Sequence, residues 1–131
     1  MQQLDDPLIR RAVESYFTTA ARRDEAAWLA TFAEDAVSHD PVGAPPVEGR
    51  DGLREIWKIL TSPFRDLAFV VTRAFYCGSG AAVYWAADAT GVNGHAVHFE
   101  GVTVFEISTE GKIQTLMSYW DPAAMMLDLA S

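Results

Sequence analysis

An α+β fold is predicted by three observations. Helical spacing of apolar residues is confined to the first half, long strand-forming runs broken at glycines fill the second, and 50% of the 131 residues are hydrophobic. Segregated elements of this kind place helices on one face of an antiparallel sheet. The length fits one domain, residues 1–131.

The first helix is expected to start near Asp5, Asp6 and Pro7, an acidic cap followed by proline. Ile9, Val13, Tyr16, Phe17 and Ala20 then share one face, so Tyr16 points inward. Asp24 caps a second helix carrying Ala27, Trp28, Thr31 and Phe32, and a short strand, Ala36 to His39, runs into Asp40-Pro41. Three prolines and two glycines between Pro41 and Gly49 make a loop. A third helix, from about Arg50 to Leu60, turns Leu53, Ile56, Trp57 and Leu60 inward.

Four strands follow: about Leu67–Tyr76, Ala81–Gly91, His95–Ile107 and Lys112–Trp120. Gly78-Ser79-Gly80, Asn93-Gly94 and Thr109-Glu110-Gly111 supply the turns. Long consecutive hairpins make one curved sheet whose concave face the three helices must cover.

Side chains alternate along a strand. Phe99, Gly101, Thr103 and Phe105 form an apolar set that should face inward, whereas His98, Glu100, Val102, Val104 and Glu106 should face outward or an interface. Parity does not say whether Ala86 (with Tyr84 and Asp88) or Trp85 (with Val83 and Ala87) faces inward. In the last strand Leu116, Ser118 and Trp120 alternate with Thr115, Met117 and Tyr119. If Gly101 and Ala86 both face the helices, they leave either a pocket or a gap filled by a large neighbour such as Trp57.

The charge excludes some functions. With 18 acidic and 10 basic residues the net charge is −8, which repels nucleic acid and anionic membranes but not a neutral apolar ligand. No apolar run approaches the roughly 20 residues that cross a bilayer. The single Cys77 has no internal disulfide partner and reads as a structural thiol; with no signal peptide, this points to the cytoplasm. His39, His95 and His98 match no metal-ligand spacing, so no metal is expected. Phosphate loops and Ser-His-Asp signatures are missing too.

Asp40 reads either as a turn-initiating residue before proline or as a carboxylate at the rim of an apolar cavity, where desolvation would suit it to general-base work. Tyr16 is either core or a phenol donating into that cavity. Trp120 walls a pocket or fills core, and Asp88 faces solvent or adds a second polar group.

Phe32-Ala33-Glu34-Asp35-Ala36-Val37-Ser38-His39-Asp40-Pro41-Val42-Gly43, then Pro45-Pro46-Val47-Glu48-Gly49-Arg50, resembles bacterial ketosteroid isomerases of the nuclear-transport-factor-2-like (SnoaL-like) superfamily. Gly111-Lys112-Ile113-Gln114-Thr115, followed by Tyr119-Trp120, resembles them as well. The resemblance covers nearly the whole chain and implies a cone-shaped fold with an internal apolar pocket. Relatives with this fold include polyketide cyclases, dehydratases and epoxide hydrolases.

Carried over residue by residue, the resemblance implies Asp40 as general base, Tyr16 as oxyanion donor and Trp120 as a pocket wall. Phe32 and Trp57 stand where the family has supporting tyrosines, and Thr103 stands where it has a neutral aspartic acid. Phe99, Gly101, Ala86 and Leu116, with Phe32, Trp57 and Trp120, are the expected substrate-binding positions. The implied substrate is a small apolar carbonyl compound, without cofactor. The superfamily commonly pairs through the sheet's outer face, and Val102 and Val104 there suggest a homodimer. No convincing Asp-Arg-Asp set for epoxide hydrolysis falls on inward strand positions.

Overall fold

The computed structural model describes residues 7–131; the expected acidic start at Asp5 and Asp6 lies outside them. The order is α1 (Pro7–Ala21), α2 (Glu25–Ala30), β1 (Phe32–His39), β2 (Val47–Glu48), α3 (Gly49–Thr61), β3 (Phe64–Cys77), β4 (Gly80–Gly91), β5 (Ala96–Ile107), β6 (Ile113–Tyr119) and α4 (Pro122–Ala130). The six strands form one sheet in the order β2-β1-β6-β5-β4-β3. The fold is α+β, a curved, unclosed sheet with the N-terminal helices against it, as predicted.

Local chemistry explains the boundaries. The apolar stripe of α1 (Ile9, Val13, Tyr16, Phe17, Ala20) is buried as its spacing requires. Asp24 caps α2 by accepting the Ala27 N–H at 3.1 Å. That helix is shorter than expected: Thr31 is its C-cap and Phe32 already begins β1. In the β4–β5 turn Gly94 adopts φ +87°, a conformation that only glycine reaches without strain. Register shifts interrupt the β3–β4 ladder between Phe64 and Asp66 and between Val71 and Arg73, and bulges of this kind bend long strands.

Two features go beyond the sequence reading. First, β1 joins the sheet parallel to β6, while every other neighbouring pair is antiparallel. Second, a fourth helix closes the concave side. Asp121 caps α4 by accepting the Ala124 N–H at 3.0 Å, Pro122 opens its first turn, and Met125 and Leu129 are buried. Its end is held by the β4–β5 turn: Asn93 Nδ2 donates to Leu129 O at 2.9 Å, and His95 Nδ1 contacts the same carbonyl at 2.9 Å. No helix among the described residues is long and apolar enough to cross a membrane.

Candidate active site

A cavity of about 380 Å³ opens between the concave face of the sheet and helices α1, α3 and α4. That volume falls within the roughly 300–1,000 Å³ of small-molecule sites. Phe64, Leu67 and Phe69 of β3 wall one side, Ile59 and Leu60 of α3 another, and Met125 and Met126 of α4 a third. The lining is almost wholly apolar, and its polar groups are few: Tyr16, Asp40, Ser62, Thr103 and Ser118.

Strand direction places the carboxylate. Because β1 and β6 run parallel, with Ser38 opposite Leu116 and His39 opposite Met117, both end at the same edge. Asp40 leaves β1 and Trp120 leaves β6 side by side, and Trp120 Nε1 donates to Asp40 Oδ1 at 2.7 Å. The Asp40-Pro41 peptide is cis. The loop beyond it is tied to β6, since Val42 N donates to Ser118 O at 2.8 Å. Burial among aromatic rings pushes the Asp40 pKa up to about 6, and the Trp120 hydrogen bond only partly opposes this. Asp40 is therefore a carboxylate poised to exchange protons near neutral pH.

Tyr16 enters the cavity from α1, packed edge-on against Phe17, Phe32 and Phe105. Burial holds its phenol well above the ordinary range, and the Asp40 charge adds to that, so the hydroxyl stays protonated and able to donate. No group among the described residues accepts that proton.

Thr103 faces the cavity on β5 with an occupied hydroxyl. Trp85 Nε1 donates to Thr103 Oγ1 at 2.8 Å, and the same oxygen lies 2.8 Å from Ser118 Oγ. Phe99 stacks on Trp120 at 5.3 Å and shares the cavity with it. The structure thus brings Asp40, Tyr16, Thr103, Phe99 and Trp120 together around one space.

The remaining expected positions lie elsewhere. Ala86 is on the outer face of β4, because Val83, Trp85 and Ala87 take the inside. Gly101 faces inward but borders no open volume. A Cβ there would sit 2.6 Å from Trp85, 2.8 Å from the Tyr119 carbonyl and 2.9 Å from Trp120. The missing side chain admits two tryptophans, neither of them Trp57. Phe32 and Trp57 lie behind Tyr16, joined through Trp28 at ring distances of 4.9 and 5.2 Å, and both are core. Leu116 is 1% exposed and also core. Asp88 is on the outer face, where its carboxylate meets His98 Nδ1 at 2.8 Å. Among the described residues no group of His, Cys, Asp and Glu side chains could hold a metal ion.

Sequence reasoning missed Ser118, Trp85 and the α4 methionines. Parity placed Ser118 on the same side as Trp120, and Asp121-Pro122 carried a helix-start signal, so two of these had a legible trace.

The SnoaL-like domain pattern matches residues 13–116. The chain is 27% identical over 119 residues to the steroid Delta-isomerase of Nocardioides simplex, covering 91% of this chain and 94% of that protein. Among solved structures it is similar to SalBIII, an epoxide hydrolase/cyclase-like enzyme with a role in pyran ring formation in the polyether salinomycin. That match has a TM-score of 0.80 and 28% identity, covering 92% of this chain and 95% of that one. A Mycobacterium tuberculosis protein in complex with estradiol-17beta-hemisuccinate shares the fold, with a TM-score of 0.79 and 19% identity over 92% of this chain and 98% of that one.

Proposed function

This chain belongs to the SnoaL-like domain family, and from that premise we propose that it is a steroid delta-isomerase-like enzyme moving a proton next to a ketone on an apolar substrate. The observation that carries the reading is Asp40: a carboxylate with a raised pKa on the wall of an apolar cavity, beside a tyrosine hydroxyl that stays protonated.

Asp40 abstracts a proton from the carbon α to the ketone. The C–H electron pair shifts into the conjugated system, and the ketone oxygen gains the charge. Tyr16 and Thr103 donate hydrogen bonds to that oxygen, which are worth most where charge develops in a dry site. The proton on Asp40 then returns two carbons further along, giving the conjugated enone and restoring the carboxylate. Phe99 and Trp120 offer flat faces to the substrate rings. A threonine hydroxyl is a weaker donor than a neutral carboxylic acid, so turnover is expected to be slow for this chemistry.

The test is conversion of a Δ5-3-ketosteroid, followed by the rising absorbance of the enone. Asp40→Asn is expected to lower kcat on the order of a hundred- to ten-thousandfold while ligand binding persists. A variant that keeps wild-type rate removes Asp40 as the base.

A second reading rests on the similarity to SalBIII: a cyclase- or dehydratase-like reaction in which Asp40 serves as acid/base on another carbonyl compound. Product analysis separates the two. Loss-free ligand binding without turnover on either substrate class would mark a binder of small apolar ligands instead.

The same family reading carries a homodimer formed through the outer face of the sheet. Val70, Phe75, Val102 and Tyr119 are exposed there, between 39% and 61%. Light scattering is expected to give twice the chain mass, and a monomer would remove the idea.

A further inference from the structure

Two buried threonine hydroxyls elsewhere in this protein spend their protons on nearby carbonyls. Thr31 donates to Trp28 O at 2.6 Å, and Thr61 donates to Trp57 O at 2.7 Å. Thr103 and Ser118 do not. They face each other across the β5–β6 ladder, 1% and 3% exposed, and both line the cavity. The only hydrogen bonds of their hydroxyls among the described residues are to each other and from Trp85.

The Trp85 indole can only donate, so it uses a lone pair of Thr103 Oγ1. One hydroxyl proton lies between Thr103 and Ser118. The two hydroxyls carry two protons, so one is left over, and no acceptor among the described residues takes it. If Ser118 donates to Thr103, the spare proton is on Thr103; if Thr103 donates to Ser118, it is on Ser118. Turning two hydroxyl rotors exchanges these states without moving a heavy atom. An unmet donor at such a buried site is destabilising, and a ligand oxygen in the cavity would satisfy it.

Resting on the isomerase-type reading above, we propose that Thr103 and Ser118 act as a single hydrogen-bond donor to the oxygen of a bound carbonyl ligand, with Ser118 touching that oxygen in its own right. Ser118 is then a catalytic residue, and Trp85 is a positioning residue that keeps one Thr103 lone pair occupied. Each hydroxyl can replace the other, so the oxyanion site keeps a second donor beside Tyr16 whichever one is lost.

The test uses the full chain with estradiol as probe, whose phenol resembles the enolate oxygen, and Δ5-3-ketosteroid turnover in parallel. The variants are Ser118→Ala, Thr103→Val and the double. Each single change is expected to weaken estradiol binding and kcat by less than about tenfold, because one hydroxyl still donates. The double change is expected to cost on the order of a hundredfold or more, well beyond the product of the singles. Equality of Thr103→Val with the double, and a silent Ser118→Ala, would make Ser118 mere core and overturn the proposal. Additive losses, or no loss in any variant, would overturn it too. Thr103→Val strands the Trp85 N–H, so the series is repeated in Trp85→Phe, where donor and acceptor are removed together. Synergy in estradiol binding without ketosteroid turnover would keep the donor pair and sink the isomerase reading. Asp40-dependent turnover without synergy would do the reverse, and a wild type that neither binds nor turns over sinks both.

Discussion

The two faces of one sheet treat the same chemical group in opposite ways. Inside, Asp40 stands among aromatic rings with one hydrogen-bond donor, Trp120, and its pKa is pushed up to about 6. Outside, Glu100 accepts from the Tyr84 hydroxyl and from His98 Nε2, which lies 3.0 Å away, and its carboxyl is held below the usual range. Tyr84 makes the larger contribution and His98 the smaller. The difference is not the number of acidic neighbours but the balance between donors gained and water lost. Glu100 gains two donors and keeps its water. Asp40 gains one donor and loses most of its water, so the charged form is left under-compensated. An acid on the outer face makes a surface network, while an acid on the inner face is left with a pKa of about 6.

The comparison is sharpened most by measuring stability against pH. The Asp40 pKa is raised in the folded state from the ordinary 3.8 to about 6. Between those values the unfolded chain has given up its proton while the folded one holds it, so stability is lost as pH rises through this window and stays lost above it. The gap corresponds to about 3 kcal/mol. Asp40→Asn is expected to unfold at a Tm close to wild type near pH 4 and distinctly higher near pH 7, even as it loses turnover. If Asp40 is the base as proposed, wild-type kcat/KM is expected to climb over the same range, because a carboxylate accepts a proton only when ionised. Equal Tm values at both pH values would show that the carboxylate is not desolvated, and the contrast between the faces would collapse.

A smaller effect is expected outside. Hydrogen bonds to Asp88 first, and Glu100 second, raise the His98 pKa. Stabilisation from His98 is therefore present in full below its unfolded pKa and fades as pH rises through the folded one. His98→Gln is expected to lower Tm slightly near pH 6 and to leave it unchanged near pH 9, with turnover untouched. A loss that persists at the higher pH would mean that His98 acts by packing and not by charge.

How much of this could be read beforehand depended on contrast within each strand. In β5 charges alternate with phenylalanines, and the inward set Phe99, Thr103 and Phe105 was legible from parity alone. In β4 alanine occurs on both faces, with Ala87 inside and Ala86 outside, so apolar character carried no directional signal and Ala86 was misplaced. Gly101 was rightly turned inward, but what fills its space depends on Trp85 and Trp120, which arrive from two other strands. Asp40 and Tyr16 were legible because each follows from one local element. The Trp85–Thr103–Ser118 chain was not, since three strands must be in register before those side chains meet. The short helix α4 was not anticipated beyond the strand end at Trp120, although Asp121-Pro122 announced it.

The parallel pairing of β1 with β6 also has a kinetic meaning. The hydrogen bond between Asp40 and Trp120 closes a loop of 80 residues, and the β3–β4 and β4–β5 hairpins lie inside that loop. Contacts so distant in sequence form slowly, after local helices and hairpins have reduced the search. Without β6 beside β1, Asp40 would lack the Trp120 donor that now faces it. The site proposed for proton transfer therefore depends on a strand pairing that spans most of the chain, so its two halves cannot meet in any locally folded fragment.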